Sequence, residues 1–162
     1  MKRFSPTLSA VLLVAALFLT TNAYSKVTLP KIFADNMVMQ RDCKANIWGT
    51  ADAYETVTLT PSWAKAKTTA KADANGKWRA TLQTPSAGGP YTLKIEGDKK
   101  SAASPSAITL INILIGEVWI CAGQSNMEKP MKGYKNQPVD NAVSDILHSK
   151  DSPLRLFTVK RK

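Results

Sequence analysis

The chain has 162 residues, 44% of them hydrophobic and 21% charged, with a formal net charge of +10 at pH 7. That balance excludes a disordered, collagen-like or disulfide-dense protein, and the length suits one ordinary domain, or one small domain and part of a second. Two cysteines and one histidine exclude a disulfide framework and a histidine-rich metal site.

Lys2 and Arg3 precede Leu8 to Leu19, a run apolar at every position but Ser9. As a helix the run would be about 18 Å long, too short for a hydrocarbon core of about 30 Å. Ala23-Tyr24-Ser25 puts small residues at the two places that signal peptidase reads. Residues 1–25 therefore read as a secretory signal peptide, and the expectation is a secreted or periplasmic protein with no stable membrane insertion after cleavage. The lysines, among them Lys44, Lys65, Lys77, Lys94, Lys129 and Lys150, are spread along the chain. Without a tight basic tract or a helical or RNA-binding motif, they read as solvated strand faces and loops, and nucleic acid is not an expected partner.

From Val27 to about Ile115 the apolar pattern has mostly period two. Glu55–Leu59, Lys77–Leu82 and Tyr91–Ile95 alternate, with Trp78, Ala80 and Leu82 on one face, and Ile108-Thr109-Leu110 opens a more continuous apolar run. Alternation marks half-buried strands. Asn75-Gly76 supplies the positive φ angles of a tight hairpin, so 65–74 and 77–82 are expected to pair antiparallel. Pro85 to Pro90 reads as a loop. The sum is an all-β sandwich over residues 26–115, without internal repeats.

The pattern changes at Gly116. Val118 to Ala122 is short and continuously apolar, as a strand buried on both faces would be. A glycine-bearing turn follows at Gly123. Asn141 to His148 reads as a short helix with Ala142, Val143, Ile146 and Leu147 on one side, capped by Asp140 or Asn141 and ended by Asp151-Ser152-Pro153. Leu154 to Val159 reads as a further strand. Strand, turn, helix, strand is the opening of an α/β domain, and residues 116–162 are expected to be its incomplete start.

The block that carries chemistry is Gly123-Gln124-Ser125-Asn126-Met127. A serine at the carboxyl end of a parallel strand stands where α/β proteins place their sites. Gly123 opens the turn to a substrate, and Ser125 can offer both its hydroxyl as nucleophile and its N–H to an oxyanion. The turn departs from the Gly-x-Ser-x-Gly elbow, since Met127 stands where that motif needs glycine. On these residues alone, a structural turn is as good a reading.

The stretch from Gly116 through Glu117, Trp119, Cys121 and Ser125 to Glu128 resembles the nucleophile block of the sialate O-acetylesterases, in the SGNH hydrolase superfamily; Glu117 stands where that family often has aspartate. Phe33-Ala34-Asp35-Asn36-Met37-Val38-Met39-Gln40-Arg41 is similar to the family's amino-terminal signature, and Leu154–Val159 more weakly resembles the strand after its first helix. The resemblance implies a β-sandwich followed by the start of a flavodoxin-like, three-layer α/β hydrolase domain, truncated. It also implies hydrolysis of O-acetyl esters on sialic acid or another acetylated glycan, through an acetyl-enzyme on Ser125. Gly123, Gln124 and Asn126 are then candidates for substrate binding, and no metal or organic cofactor is implied. A serine hydroxyl needs a base to take its proton, and the family's base and orienting acid come from a late Asp-x-x-His block.

The single histidine lies in Asp145-Ile146-Leu147-His148, which has that spacing but falls in the expected helix. His148, Asp145, Asp140 and Asp151 therefore read as surface residues, and the chain alone is expected to be an inactive amino-terminal part of an esterase. Glu128 and Lys129 follow the nucleophile turn and are weaker candidates to line a pocket. Three other readings stay open: an exported glycan-binding β-sandwich module with a non-catalytic hydrolase remnant, an acetylxylan-type esterase fragment, and a split enzyme whose second chain supplies the Asp and His. Trp48, Trp78 and Trp119 read as core, with Trp63 the most exposed tryptophan. Cys121 reads as a buried hydrophobe, and its pairing with Cys43 is not expected.

Overall fold

The computed structural model describes residues 27–98, 107–151 and 153–159. The segment read as a signal peptide lies outside the described residues. The chain runs through β1 (Val38–Gln40), β2 (Lys44–Thr50), β3 (Thr56–Pro61), β4 (Thr68–Lys71), β5 (Lys77–Gln83), β6 (Gly88–Gly97) and β7 (Ala107–Gly116). Two short helices follow, α1 (Ser125–Glu128) and α2 (Ala142–His148), and then a 3-10 turn over Ser149–Asp151.

The sheet-rich architecture expected up to residue 115 is present. Five strands pair in the order β1-β7-β6-β3-β4, and β2 pairs with β5 in a separate two-stranded sheet. The larger sheet is mixed, because β1 runs parallel to β7 while its other pairs are antiparallel. Period-two patterning carries both sheets: β3 and β5 bury every second residue. Ile47, Trp78, Ala80 and Leu82 from the small sheet meet Val57, Leu59, Leu93, Ile95, Leu110, Ile113 and Ile115 from the large one in a single apolar cluster. Each large aliphatic side chain so buried contributes about 1.5–3 kcal/mol.

The expected hairpin partner is corrected. A tight turn does form at Asn75-Gly76, where the Asp73 carboxylate accepts from the N–H groups of Asn75 and Lys77, both at 2.8 Å. The strands leaving it part, however. β4 joins β3 in the large sheet, and β5 joins β2 in the small one. The Gly76 carbonyl accepts from the Ala51 N–H at 2.8 Å, which leads β5 onto β2. A Cβ at Gly76 would stand 2.3 Å from the Ala51 carbonyl oxygen, and φ there is +74°, so glycine suits both turn and junction. The segment read as a loop, Pro85 to Pro90, ends inside β6, which begins at Gly88.

β7 contains an irregularity that alternation does not announce. Leu93 pairs with Leu110 and Tyr91 with Ile113, so β7 carries one extra residue between these pairs. Asn112 adopts φ 54°, a left-handed conformation that asparagine tolerates. The bulge shifts the buried face from Leu110 to Ile113 and turns Ile111 and Asn112 outward.

Glu55 is a fully buried carboxylate beside this core. Its Oε2 accepts from the Asp52 N–H at 2.9 Å. A Cβ on Gly97 would fall 1.9 Å from Glu55 Oε1 and 3.2 Å from Val27 Cγ2. Gly97→Ala is therefore expected to destabilise the fold by about 1–3 kcal/mol through overpacking, read as a lower midpoint in urea with an unchanged slope.

Beyond Gly116 the structure departs from the expectation. Val118 to Ala122 is extended but belongs to no strand, and Trp119 and Ile120 are 83% and 94% exposed. Leu154 to Val159 likewise pairs with nothing among the described residues, with Leu156 87% exposed. An apolar run becomes a two-sided buried strand only where neighbouring strands and covering helices exist, and the described residues supply neither.

Candidate functional site

The site is built from two stretches of sequence far apart in the chain. β1 is fixed from below by Thr84, whose buried hydroxyl lies 2.8 Å from the Gln40 carbonyl and 3.0 Å from that of Cys43. From that anchored end, Gln40 and Arg41 reach the chain leaving β7. The Arg41 Nε donates to Glu117 Oε1 at 2.6 Å, and Gln40 Nε2 donates to Glu117 Oε2 at 3.1 Å. The Val118 N–H donates to Gln40 Oε1 at 2.9 Å, and the Arg41 N–H to the Gly116 carbonyl at 2.9 Å. The entry to the nucleophile block is thus held by both backbone and side chains of Gln40 and Arg41.

The rest of the amino-terminal signature works in the same way. Asp35 Oδ1 accepts from the Ile111 N–H at 2.8 Å, and Asn36 Oδ1 from the Asn112 side-chain amide at 2.6 Å. These contacts pin the β7 bulge. The Arg155 guanidinium donates to the Met37 carbonyl at 3.2 Å and to the carbonyl and side-chain oxygens of Asn112. One loop-and-strand segment therefore holds β7, the start of the 117–128 stretch and the 153–159 stretch. In the sequence this signature stands out by resemblance only; its anchoring role depends on the bulge and the strand pairings.

The Arg41 guanidinium, and then the Gln40 amide, hold the Glu117 carboxyl below the ordinary value of 4.5, against a smaller opposing effect of desolvation. Arg41 is pushed above its usual range by the same hydrogen bond. Because the folded value of Glu117 is depressed, the stabilisation it contributes is present above pH 4.5 and is lost as pH falls through the lower folded value. The pair is half exposed, so its effect on global stability is small. The direct measurement is an NMR titration of the Glu117 carboxyl: its midpoint is expected below 4.5 in the native chain and higher in Arg41→Ala.

The nucleophile block follows five residues after Val118. Gln124 is the N-cap of α1, and its carbonyl accepts from the Met127 N–H at 3.0 Å. Ser125 opens the helical turn, so its N–H lies ahead of the helical hydrogen bonds. Asn126 is the second residue, and Gly123, Gln124, Ser125 and Asn126 are all exposed. A Cβ at Gly123 would stand 2.7 Å from Met127 Cγ, so glycine there lets the turn fold back beside Met127.

Among the described residues, no hydrogen bond joins Ser125 to a base. His148 sits at the end of α2, with Nδ1 2.7 Å from the Ser144 carbonyl of its own helix. A ring nitrogen facing a carbonyl donates its proton, so this nitrogen is occupied. Asp145 and Asp140 are exposed, with Asp145 in the same helix, and Asp151 closes the 3-10 turn. Asn141 stands at the α2 N-cap as expected, but without a side-chain capping bond. Glu128 is exposed and Lys129 half-buried. No group of three His, Cys, Asp or Glu that could hold a metal ion occurs among the described residues. No helix among them is long and apolar enough to cross a membrane.

Four aromatic or cysteine expectations are corrected. Trp63 is half-buried against the core, donates its indole N–H to the Gln83 carbonyl at 3.0 Å and meets Tyr91 edge to face. Trp48 is instead 39% exposed, because the outer face of β2 is uncovered there. Trp119 and Cys121 are exposed with the rest of their segment, and both cysteines are free thiols. Trp78 is core, as expected from alternation.

No family model matches the chain. The chain is 32% identical to sialate O-acetylesterase of Rattus norvegicus over 103 residues, which is 59% of this chain and 18% of that protein. It is 29% identical to the Mus musculus sialate O-acetylesterase over 133 residues, 78% of this chain and 24% of the relative. The match to the Homo sapiens sialate O-acetylesterase is 30% over 100 residues, 58% of this chain and 18% of the relative. Among solved structures, the chain resembles a carbohydrate acetylesterase from Xanthomonas citri, with TM-score 0.58 and 35% identity over 65% of this chain and 23% of that one. The chain thus spans about a fifth to a quarter of the length of the proteins it matches. The resemblance to sialate O-acetylesterases read from the sequence holds at about 30% identity.

Proposed function

We propose that this chain carries the nucleophile block of a carbohydrate O-acetylesterase that removes acetyl groups from sialic acids, with Ser125 as the nucleophile. The observation that supports the reading is the placement of Ser125 at the exposed head of a helical turn, within a block that resembles the nucleophile block of sialate O-acetylesterases. Ser125 Oγ attacks the acetyl carbonyl carbon, a base takes the hydroxyl proton, and the sugar hydroxyl leaves with a proton. Water then releases acetate from the acetyl-enzyme. The Ser125 N–H is one oxyanion donor, and each such donor lowers the barrier by about 3–4 kcal/mol. Gly123, Gln124 and Asn126 border the substrate. As in the family that this block resembles, this reading takes the base, its orienting acid and the other oxyanion donors from later parts of the enzyme, because among the described residues no hydrogen bond joins His148 to Ser125.

In this reading residues 26–115 are a β-sandwich domain and residues 116–162 begin the α/β hydrolase layer. The exposed Trp119, Ile120, Leu147 and Leu156 support it, because an α/β sheet with covering helices gives each of them a buried place. The leader at residues 1–25 directs export to the periplasm or exterior.

The test is acetate release from 9-O-acetylated sialic acid. This chain alone is expected to show no rate above background. A chimera joining it to the remaining length of the Xanthomonas citri acetylesterase is expected to turn over. A folded chimera without activity would overturn the proposal.

A further inference from the structure

The outward side of the small sheet is a surface that the esterase reading leaves unused. β2 presents Lys44, Asn46, Trp48 and Thr50 there, and β5 presents Lys77, Arg79, Thr81 and Gln83. No carboxylate lies among these eight residues. The register places Trp48 opposite Arg79 and Thr50 opposite Lys77, so one aromatic ring, two cations and a hydroxyl occupy neighbouring corners of one patch. The patch borders an open groove of about 640 Å³ walled by Thr28, Leu29 and Pro30.

The walls are preset. Thr28 and Thr50 exchange both backbone hydrogen bonds, at 2.8 and 3.0 Å, and their hydroxyls also meet. Phe33 meets Trp48 edge to face at 4.7 Å between ring centroids, which fixes the indole while leaving it 39% exposed. The ion pairs Arg41–Asp42, Arg41–Glu117 and Lys94–Glu96 all lie off this face. Trp78 also lines the groove, and its buried indole N–H has no partner.

We propose that this face is a binding site for a carboxylate-bearing sugar residue of a glycan. The apolar C–H face of a pyranose ring lies on Trp48, its hydroxyls meet Asn46 and Thr50, and its carboxylate, one bond from the ring, reaches Arg79 and Lys77. The single aromatic platform and paired cations fit one charged sugar, whereas a nucleic acid strand needs a longer basic track. The site acts without Ser125 and does not rest on the esterase reading.

The experiment is an NMR titration of the full chain with 3′-sialyllactose, which carries no acetyl ester, and with lactose as its neutral counterpart. Sialyllactose is expected to shift the Trp48 indole, Lys77 and Arg79 signals, while lactose leaves them unmoved. Trp48→Ala should weaken binding at least about tenfold, since a buried aromatic anchor dominates such small interfaces. Lys77→Gln with Arg79→Gln should weaken it about tenfold or more, through lost charge-assisted hydrogen bonds. Because these side chains point outward, both variants are expected to keep native spectra. No shift at millimolar sialyllactose, equal response to lactose, shifts confined to the Ser125 turn, or response only to an RNA oligonucleotide would each overturn the proposal.

Discussion

In the chimera with the Xanthomonas citri acetylesterase, Ser125→Ala is expected to lower kcat by about 10⁴–10⁶-fold, with KM nearly unchanged. In the proposed reaction the hydroxyl forms the bond to the acetyl carbon, so its loss removes an interaction made on the way to the transition state and little that binds the sugar. The fold is expected to survive, because Ser125 is exposed at the start of a four-residue turn. Steady-state kinetics beside a circular dichroism spectrum checks both points. A mutant within tenfold of the parent would show that the block is only a structural turn.

The second large effect separates the two parts of the chain. Ile113→Ala is expected to cost about 2–5 kcal/mol of stability, the loss for emptying a buried aliphatic site. Ile113 has no exposed surface and lies next to the β7 bulge, where the backbone is tied to Asn36 and Arg155 and cannot readily collapse into the space. Trp119→Ala should cost under about 0.5 kcal/mol in this chain despite removing a larger side chain, since Trp119 is 83% exposed. In the chimera the same Trp119→Ala change is expected to cost about 3–5 kcal/mol, because the added layers would bury the indole. Urea denaturation of the two parents and the three variants reads the contrast. A large loss from Trp119→Ala in this chain would contradict the exposed placement of the segment.

Much of the strand content could be read directly. Trp78, Ala80 and Leu82 alternate because one face of β5 meets the core, and the same holds for Val57 and Leu59 in β3. What alternation cannot reveal is partnership. Asn75-Gly76 announces a turn correctly, but β5 pairs with β2, twenty-nine residues away between the facing Gly49 and Trp78, because Gly76 fits against Ala51. The bulge at Asn112 also escaped, since one extra residue breaks the period within a run that reads simply as apolar.

At the candidate site, Ser125 was legible as a residue and as part of a resemblance, while its surroundings were not. The apolar run Val118 to Ala122 states that the segment avoids water, not what covers it. Trp119 and Cys121 were therefore assigned to a core that the described residues do not form. The function of Gln40 and Arg41 was equally hidden. Both look like ordinary polar residues at a strand end, and their grip on Glu117 and Val118 depends on β1 lying parallel to β7.

The nucleophile is identified by mass spectrometry of the active chimera after treatment with an organophosphonate that mimics the tetrahedral intermediate. A single adduct is expected on the peptide containing Gly123 to Met127, carried by Ser125 and absent in Ser125→Ala. An adduct on a different serine, with hydrolysis lost in step with it, would contradict the assignment of Ser125 as nucleophile.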